Sequence, residues 1–136
     1  MSARLLIDSH VLIWLTEGAG RLSAEAAEVM VHPDTVIFVS AVSVAEICIK
    51  NALGKLPLPA AIEADPRSGF QAVFEQMGLT ELDLTLGHAA RLRDLPRRHG
   101  DPFDRLLIAQ ALEDNLTLVT HDRMFGLYGD LKLLWT

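Results

Sequence analysis

The sequence predicts an α/β fold in which a parallel sheet carries helices on both faces, and three observations lead there. Short runs rich in branched apolar residues alternate with segments whose apolar residues recur at helical spacing. One run, Val36 to Val39 (VIFV), is continuously apolar, as expected of a central parallel strand covered on both faces. Acidic residues recur just beyond these runs or in the helix starts that follow, on the edge where open α/β sheets bind ligands. At 136 residues, with no internal repeat, low-complexity segment or linker, residues 1–136 read as one domain able to bury a core unaided.

Arg4 to Asp8 (RLLID) is the first strand, with Asp8 at its junction to a helix from Ser9 to Glu17 that Gly18 and Gly20 break. Ser23 starts an amphipathic helix without a full capping box, because Ala26 stands where the box wants a carboxylate, and His32, Pro33 and Asp34 end it. VIFV ends in Ser40 and leads into the helix VSVAEICIKNALGK, where Ser43 and Glu46 have the spacing of a capping box. Leu56 to Pro66 is a proline-bearing connector, open between a mobile loop and a clamp over a partner. Phe70 to Gln76 reads as a helix, Leu79 to Leu84 as a short strand, and Leu86 to Leu95 as a helix stopped by Pro96. Asp101 and Pro102 open the next helix, Asn115 ends it, LTLVT (Leu116 to Thr120) is a strand, and LKLLWT supplies the last one.

Composition narrows the function. A formal net charge of -6 argues against broad electrostatic binding of nucleic acid, although HAARLRDLPRRH gathers Arg91, Arg93, Arg97 and Arg98 against Asp94 alone. The single cysteine, Cys48, lies in an apolar helix and suits a buried role in a reducing compartment. No apolar run approaches membrane-spanning length, and LLI is stopped at once by Asp8 instead of extending into a secretory leader. The expectation is a cytoplasmic protein with no membrane partner.

The acids carry the chemistry. Asp8 follows the first strand, Glu46 lies in the helix after the second, Asp104 opens a later helix and Asp122 follows LTLVT, so all four fall on one rim. Each has an ordinary explanation as a cap, with Asp104 suiting a first helical turn and Glu46 having Ser43 and Lys50; Asp101 beside them is a good N-cap and an i,i+4 partner for Arg105. Four separate explanations converging on one rim are less economical than one shared purpose. Two carboxylates about 5 Å apart repel by roughly 3 kcal/mol at an effective dielectric near 20, so the cluster asks for a cation. Oxygen ligands select a hard one, Mg²⁺ or Mn²⁺, while the histidines lack zinc-ligand spacing. Asp8, Glu46 and Asp104 are the expected principal ligands, Asp122 a ligand or support, and Asp101 a helper. His10 and His121 lie beside acids, but nothing fixes their orientation, so they read as structural or solvated.

LLIDSHVLIW, VSAVSVAEICIK, HGDPFDRLLIAQA and LTLVTHD together resemble a PIN-domain ribonuclease of the VapC type, the toxin of a toxin–antitoxin pair, over nearly the whole chain. DPFDRLLIAQA is the most specific of these stretches; Ser9 stands where relatives commonly have Thr, and a hydroxyl is kept. The resemblance places the family's acidic residues on Asp8, Glu46, Asp104 and Asp122. It implies a three-layer fold with a five-stranded parallel sheet, a homodimer, metal-dependent endonucleolytic cleavage of RNA, and a cognate antitoxin that blocks the site. The number of metal ions and the RNA cut are not implied. Two rivals are a PIN-like module that binds RNA or protein without catalysis, and a phosphoacceptor receiver domain, against which the Ser40 ending of the central strand counts.

Overall fold

The computed structural model describes residues 3–17 and 22–136, so the helix-breaking role read for Gly18 and Gly20 lies outside the described residues. In chain order the elements are β1 (Arg4–Ile7), α1 (Ser9–Glu17), α2 (Ala24–Val31), β2 (Val36–Ser40), α3 (Ala41–Ala52), α4 (Ala60–Ala64), α5 (Pro66–Met77), β3 (Leu79–Leu82), α6 (Leu86–Arg91), α7 (Pro102–Asp114), β4 (Thr117–Thr120), a 3-10 turn (Arg123–Leu127) and β5 (Leu133–Trp135). The five strands form one all-parallel sheet in the order β3-β2-β1-β4-β5. The chain moves outward from β1 to β2 and β3, then returns to β1's other side with β4. The topological switch point therefore lies between β1 and β4, where a crevice opens at the carboxyl edge.

Alternation along the strands divides the core between the two faces. Leu5, Ile7, Ile37, Val39 and Val119 pack with Val11, Leu12 and Leu15 of α1 and Ile47 of α3, while Leu6 and Leu118 pack with Leu107, Ile108 and Ala111 of α7. A buried polar link ties α3 to α7 across the second face. Ser40 Oγ donates to Gln110 Oε1 at 2.6 Å and accepts the Val42 amide, and Gln110 Nε2 donates to the Asp83 carbonyl. His88, also buried, accepts the Thr85 amide at Nδ1, and its Nε2 lies 2.9 Å from an Asp114 carboxylate oxygen, which fastens α6 to the end of α7.

Four expectations change. The cap of α3 is Ser40, not Ser43; the expected capping box is absent because Ser40, at the strand's end, already holds the Val42 amide, and Ser43 Oγ is buried without a partner. The connector after Leu56 contains a helix, α4, whose Ile62 is buried against α5. Gly69 makes that approach feasible, since a Cβ there would stand 2.6 Å from the Ile62 backbone. α5 starts earlier than Phe70, with Asp65 accepting the Ser68 amide and Pro66 in the first turn, and it ends at Gly78 in the left-handed region (φ 64°). α6 stops at Arg91, and the chain reaches Leu95 through successive i→i−3 bonds that tighten the last turns ahead of Pro96.

Candidate metal centre at the carboxyl edge of the sheet

The predicted acids reach the rim from the ends of β1 and β4, from α3 and from the start of α7. Asp8 follows β1 directly and is 2 % exposed. Its Oδ1 accepts the Val11 amide at 2.9 Å, and its Oδ2 accepts the hydroxyl of Thr120, the last residue of β4. The same Thr120 oxygen accepts the Asp122 amide at 3.0 Å, so one hydroxyl spans the switch point and links the two strand ends. Asp122 in turn caps the 3-10 turn by accepting the Met124 amide.

Glu46 lies one and a half turns into α3 and is 4 % exposed. Ser9 Oγ donates to its Oε1 at 2.6 Å, joining α1 to α3, and Lys50 Nζ donates to its Oε2 at 2.6 Å. The pairing with Lys50 is the one the sequence offered. Asp101 is the N-cap of α7, accepting the Phe103 and Asp104 amides. Arg105 does not pair with it; the guanidinium reaches the carbonyls of Leu95 and Pro96 and the Tyr128 hydroxyl instead.

Asp104 lies in the first turn of α7. Burial pushes its carboxyl up from 3.8 to about 6, the neighbouring charges of Asp101 and Glu46 add to the rise, and the hydrogen bond to His99 opposes it. Burial also raises Asp8, against the Thr120 and Val11 hydrogen bonds and the nearby His10 and His121. Lys50 is held above its ordinary value chiefly by its bond to Glu46, with Asp101 and Asp104 contributing through space. Glu46, Asp101 and Asp104 therefore share one field, and Lys50 is its internal counter-charge.

His99, Asp104 and Asp122 each present a ligand atom, and these atoms lie within 4.8 Å of one another. Asp8 and Glu46 stand outside that triplet. His99 Nε2 is 2.7 Å from Asp104 Oδ2, and the ring meets Phe125 edge-on. The sequence marks Ser9 only for its kept hydroxyl and gives no sign of His99 or Thr120; the return of the His99–Asp101 loop over the start of α7, the strand register and the α1–α3 contact bring them in. His10 and His121 are exposed, their rings 5.4 Å apart, with His121 also against Trp14.

The residues fit a divalent cation. Carboxylates dominate the donor set, one imidazole stands beside them, and a bound cation would relieve the crowding of Asp101 and Glu46 charge around Asp104. Among the described residues, Lys50 at one end of the cluster answers only part of that charge.

A PIN domain model matches residues 5–131. The chain is 32% identical over 120 residues to Ribonuclease VapC22 of Mycobacterium tuberculosis (strain ATCC 25618 / H37Rv), covering 88% of this chain and 87% of that one. Its fold is similar to VapBC2 from Rickettsia felis, solved with a DNA fragment from its promoter (TM-score 0.73, 15% identity, 98% of both chains). It is also similar to VapBC-5 from Mycobacterium tuberculosis, a member of the VapBC family of toxin-antitoxin systems (TM-score 0.59, 17% identity, 98% of this chain and 99% of that chain). With family match, identity and switch-point acids in agreement, this chain belongs to the PIN domain family and, within it, to the VapC type.

Proposed function

We propose that the protein is a metal-dependent endoribonuclease, the toxin of a toxin–antitoxin pair, which hydrolyses phosphodiester bonds of RNA and is silenced by a cognate antitoxin. The observation that carries this reading is the meeting of His99, Asp104 and Asp122 at the mouth of the switch point, with Asp8 buried beside it and Glu46 electrostatically coupled to Asp104. The relative named a ribonuclease and the toxin-antitoxin neighbour support the substrate and the partner.

Asp104 and Asp122 would hold the ion, with Asp8 and Glu46 as further ligands directly or through water and Asp101 as helper. When bound, a divalent ion supplies an acidified water and a charge opposite the phosphate oxygens. The chain's own part is orientation. Thr120 and the Val11 amide fix Asp8, Ser9 and Lys50 fix Glu46, and His99 aims Asp104, so the acids are set before substrate arrives. Mg²⁺ is the expected ion, with Mn²⁺ as a substitute, because oxygen donors prefer hard cations that keep waters and bind phosphate. Residues 1–136 act as one PIN domain, as a homodimer, in the cytoplasm and without a membrane; no helix among the described residues is long and apolar enough to cross one.

The test is cleavage of total RNA by the pure protein with Mg²⁺, with Mn²⁺ and in chelator, followed by mapping of the new ends. Cleavage in metal that stops in chelator is the expected result. Absence of cleavage in every metal, together with normal binding of a copurified partner, would sink the enzyme and leave a binding module.

A further inference from the structure

Beside the acidic cluster lies a basic cavity of about 590 Å³ whose walls include Arg97, Arg98, His99, Arg105, Leu106 and Met124. Two of these walls belong to the metal centre's own framework. His99 touches Asp104, and the Met124 amide donates to Asp122. The cavity therefore opens next to the place where a scissile phosphate would lie.

Its charge is uncommitted. Arg91, further back in the same basic stretch, is spent on an ion pair with Glu113, whereas Arg97, Arg98 and Arg105 form no ion pair among the described residues. Arg105 braces the loop by donating to the Leu95 and Pro96 carbonyls and to the Tyr128 hydroxyl, and the Arg98 amide also donates to that hydroxyl. The loop carrying Arg97 and Arg98 is thus anchored while both residues stay exposed. In a chain of net charge -6, unpaired arginines bordering an acidic site need an anionic occupant to make sense of their position. The volume is that of a small-molecule site, and the apolar faces of Leu106 and Met124 suit a base or sugar more than a bare ion.

We infer that this cavity is a nucleotide subsite for single-stranded RNA: Arg97 and Arg98 hold the phosphate next to the scissile one, and Leu106 and Met124 flank its nucleoside. The inference rests on the ribonuclease reading for its substrate, but its test does not need cleavage.

The test measures binding of a fluorescently labelled, mixed-sequence single-stranded RNA to the full chain in chelator across a salt series, and then KM and kcat in metal. Arg97→Ala/Arg98→Ala removes the protein's hold on that one phosphate, so the slope of log affinity against log salt should shrink by about 0.7, the value per phosphate on single strands, and KM should rise about tenfold. Arg97→Lys/Arg98→Lys should restore the slope. Lys55→Ala/Lys132→Ala, which removes equal charge beyond α3 and ahead of β5, should leave the slope and cleavage as in the wild type. An unchanged slope in the folded double alanine variant overturns the subsite, as does an equal fall in the lysine control. Cleavage that persists alongside an unchanged slope overturns the subsite alone. A reduced slope in a protein that cleaves in no metal overturns the ribonuclease reading and leaves the subsite standing.

Discussion

Thr120 donates its hydroxyl to Asp8 and, through the same oxygen, accepts the amide of Asp122, so the ends of β1 and β4 are fastened to each other at the switch point. A buried carboxylate is costly unless donors satisfy it, and this hydroxyl is one of two donors to Asp8 among the described residues. Thr120→Val keeps the shape and removes both bonds. We expect the variant to lose about 2 kcal/mol of stability and to bind Mg²⁺ on the order of tenfold more weakly, as disturbed support around ligands does. Denaturant melts and calorimetric Mg²⁺ titration check this; equal affinity in variant and wild type would remove Thr120 from the support of the site.

Asp104→Asn changes volume little and removes the one carboxylate that meets His99, Asp101's field and Glu46's field together. RNA cleavage should fall at least a hundredfold with the fold intact by circular dichroism, as expected when a catalytic ion loses a ligand. Asp101→Asn should give a milder loss, because its carboxylate is engaged in capping α7 and Asn caps nearly as well. Wild-type cleavage by pure Asp104→Asn would take Asp104 out of the site.

Much of this was legible from residue order, and what was not depends on contacts between distant residues. The strands are short branched runs that cannot make a helix, and their acids follow within two residues at β1 and β4, so both strands and rim could be placed. Thr120 and Asp8 are brought together by the β1–β4 register, which the sequence does not state. Of the two ordinary partners the sequence offers Glu46, Lys50 is present, whereas the Ser43 cap is not, because Ser40 serves as the last strand residue and the N-cap at once. Ser9 then takes the vacant role across the helix interface. His99 stands in the most informative stretch but gives no signal there, because only a loop folding back over its own helix start puts it on Asp104. α4 escaped notice because five residues between prolines carry too short a period to read, and Ile62 alone fixes them.

The antitoxin should approach the same rim with a basic segment. Asp8, Asp122 and the partly compensated cluster around Asp104 present negative charge there, while the arginine-lined cavity beside them repels a cation, which confines the segment to the acidic side. Reversing the charge of the antitoxin's Arg or Lys residues should weaken the complex at least tenfold and restore RNA cleavage in the mixture. Affinity indifferent to those reversals, measured by titration calorimetry, would show that the partner blocks the site by another route.

The pH dependence of stability separates a metal centre from a set of unrelated caps. Asp104 ionises near 3.8 in the unfolded chain and near 6 in the folded one, so between those values the folded state holds more protons than the unfolded state. Stability contributed by this group is therefore greatest below about pH 4, falls as pH rises toward 6, and stays low above it, a loss on the order of 2 kcal/mol. Asp8, raised in the same direction, adds to the trend. In chelator, Asp104→Asn should then be more stable than the wild type at pH 8, with the difference shrinking toward pH 4. Asp101→Ala should instead lose about 1 kcal/mol, as a missing N-cap does, and show no such convergence. Saturating Mg²⁺ at pH 8 should reverse the first order, since an ion at about a hundred times its dissociation constant adds roughly 2.7 kcal/mol to the wild type and less to a site lacking a ligand. Lowering the pH through 6 should erase that gain by protonating Asp104. Melts of all three proteins across pH 4 to 8, with chelator and with Mg²⁺, decide the matter: if the wild type is the more stable in chelator at pH 8 and Mg²⁺ shifts wild type and Asp104→Asn alike, the acids are caps and the metal centre is refuted.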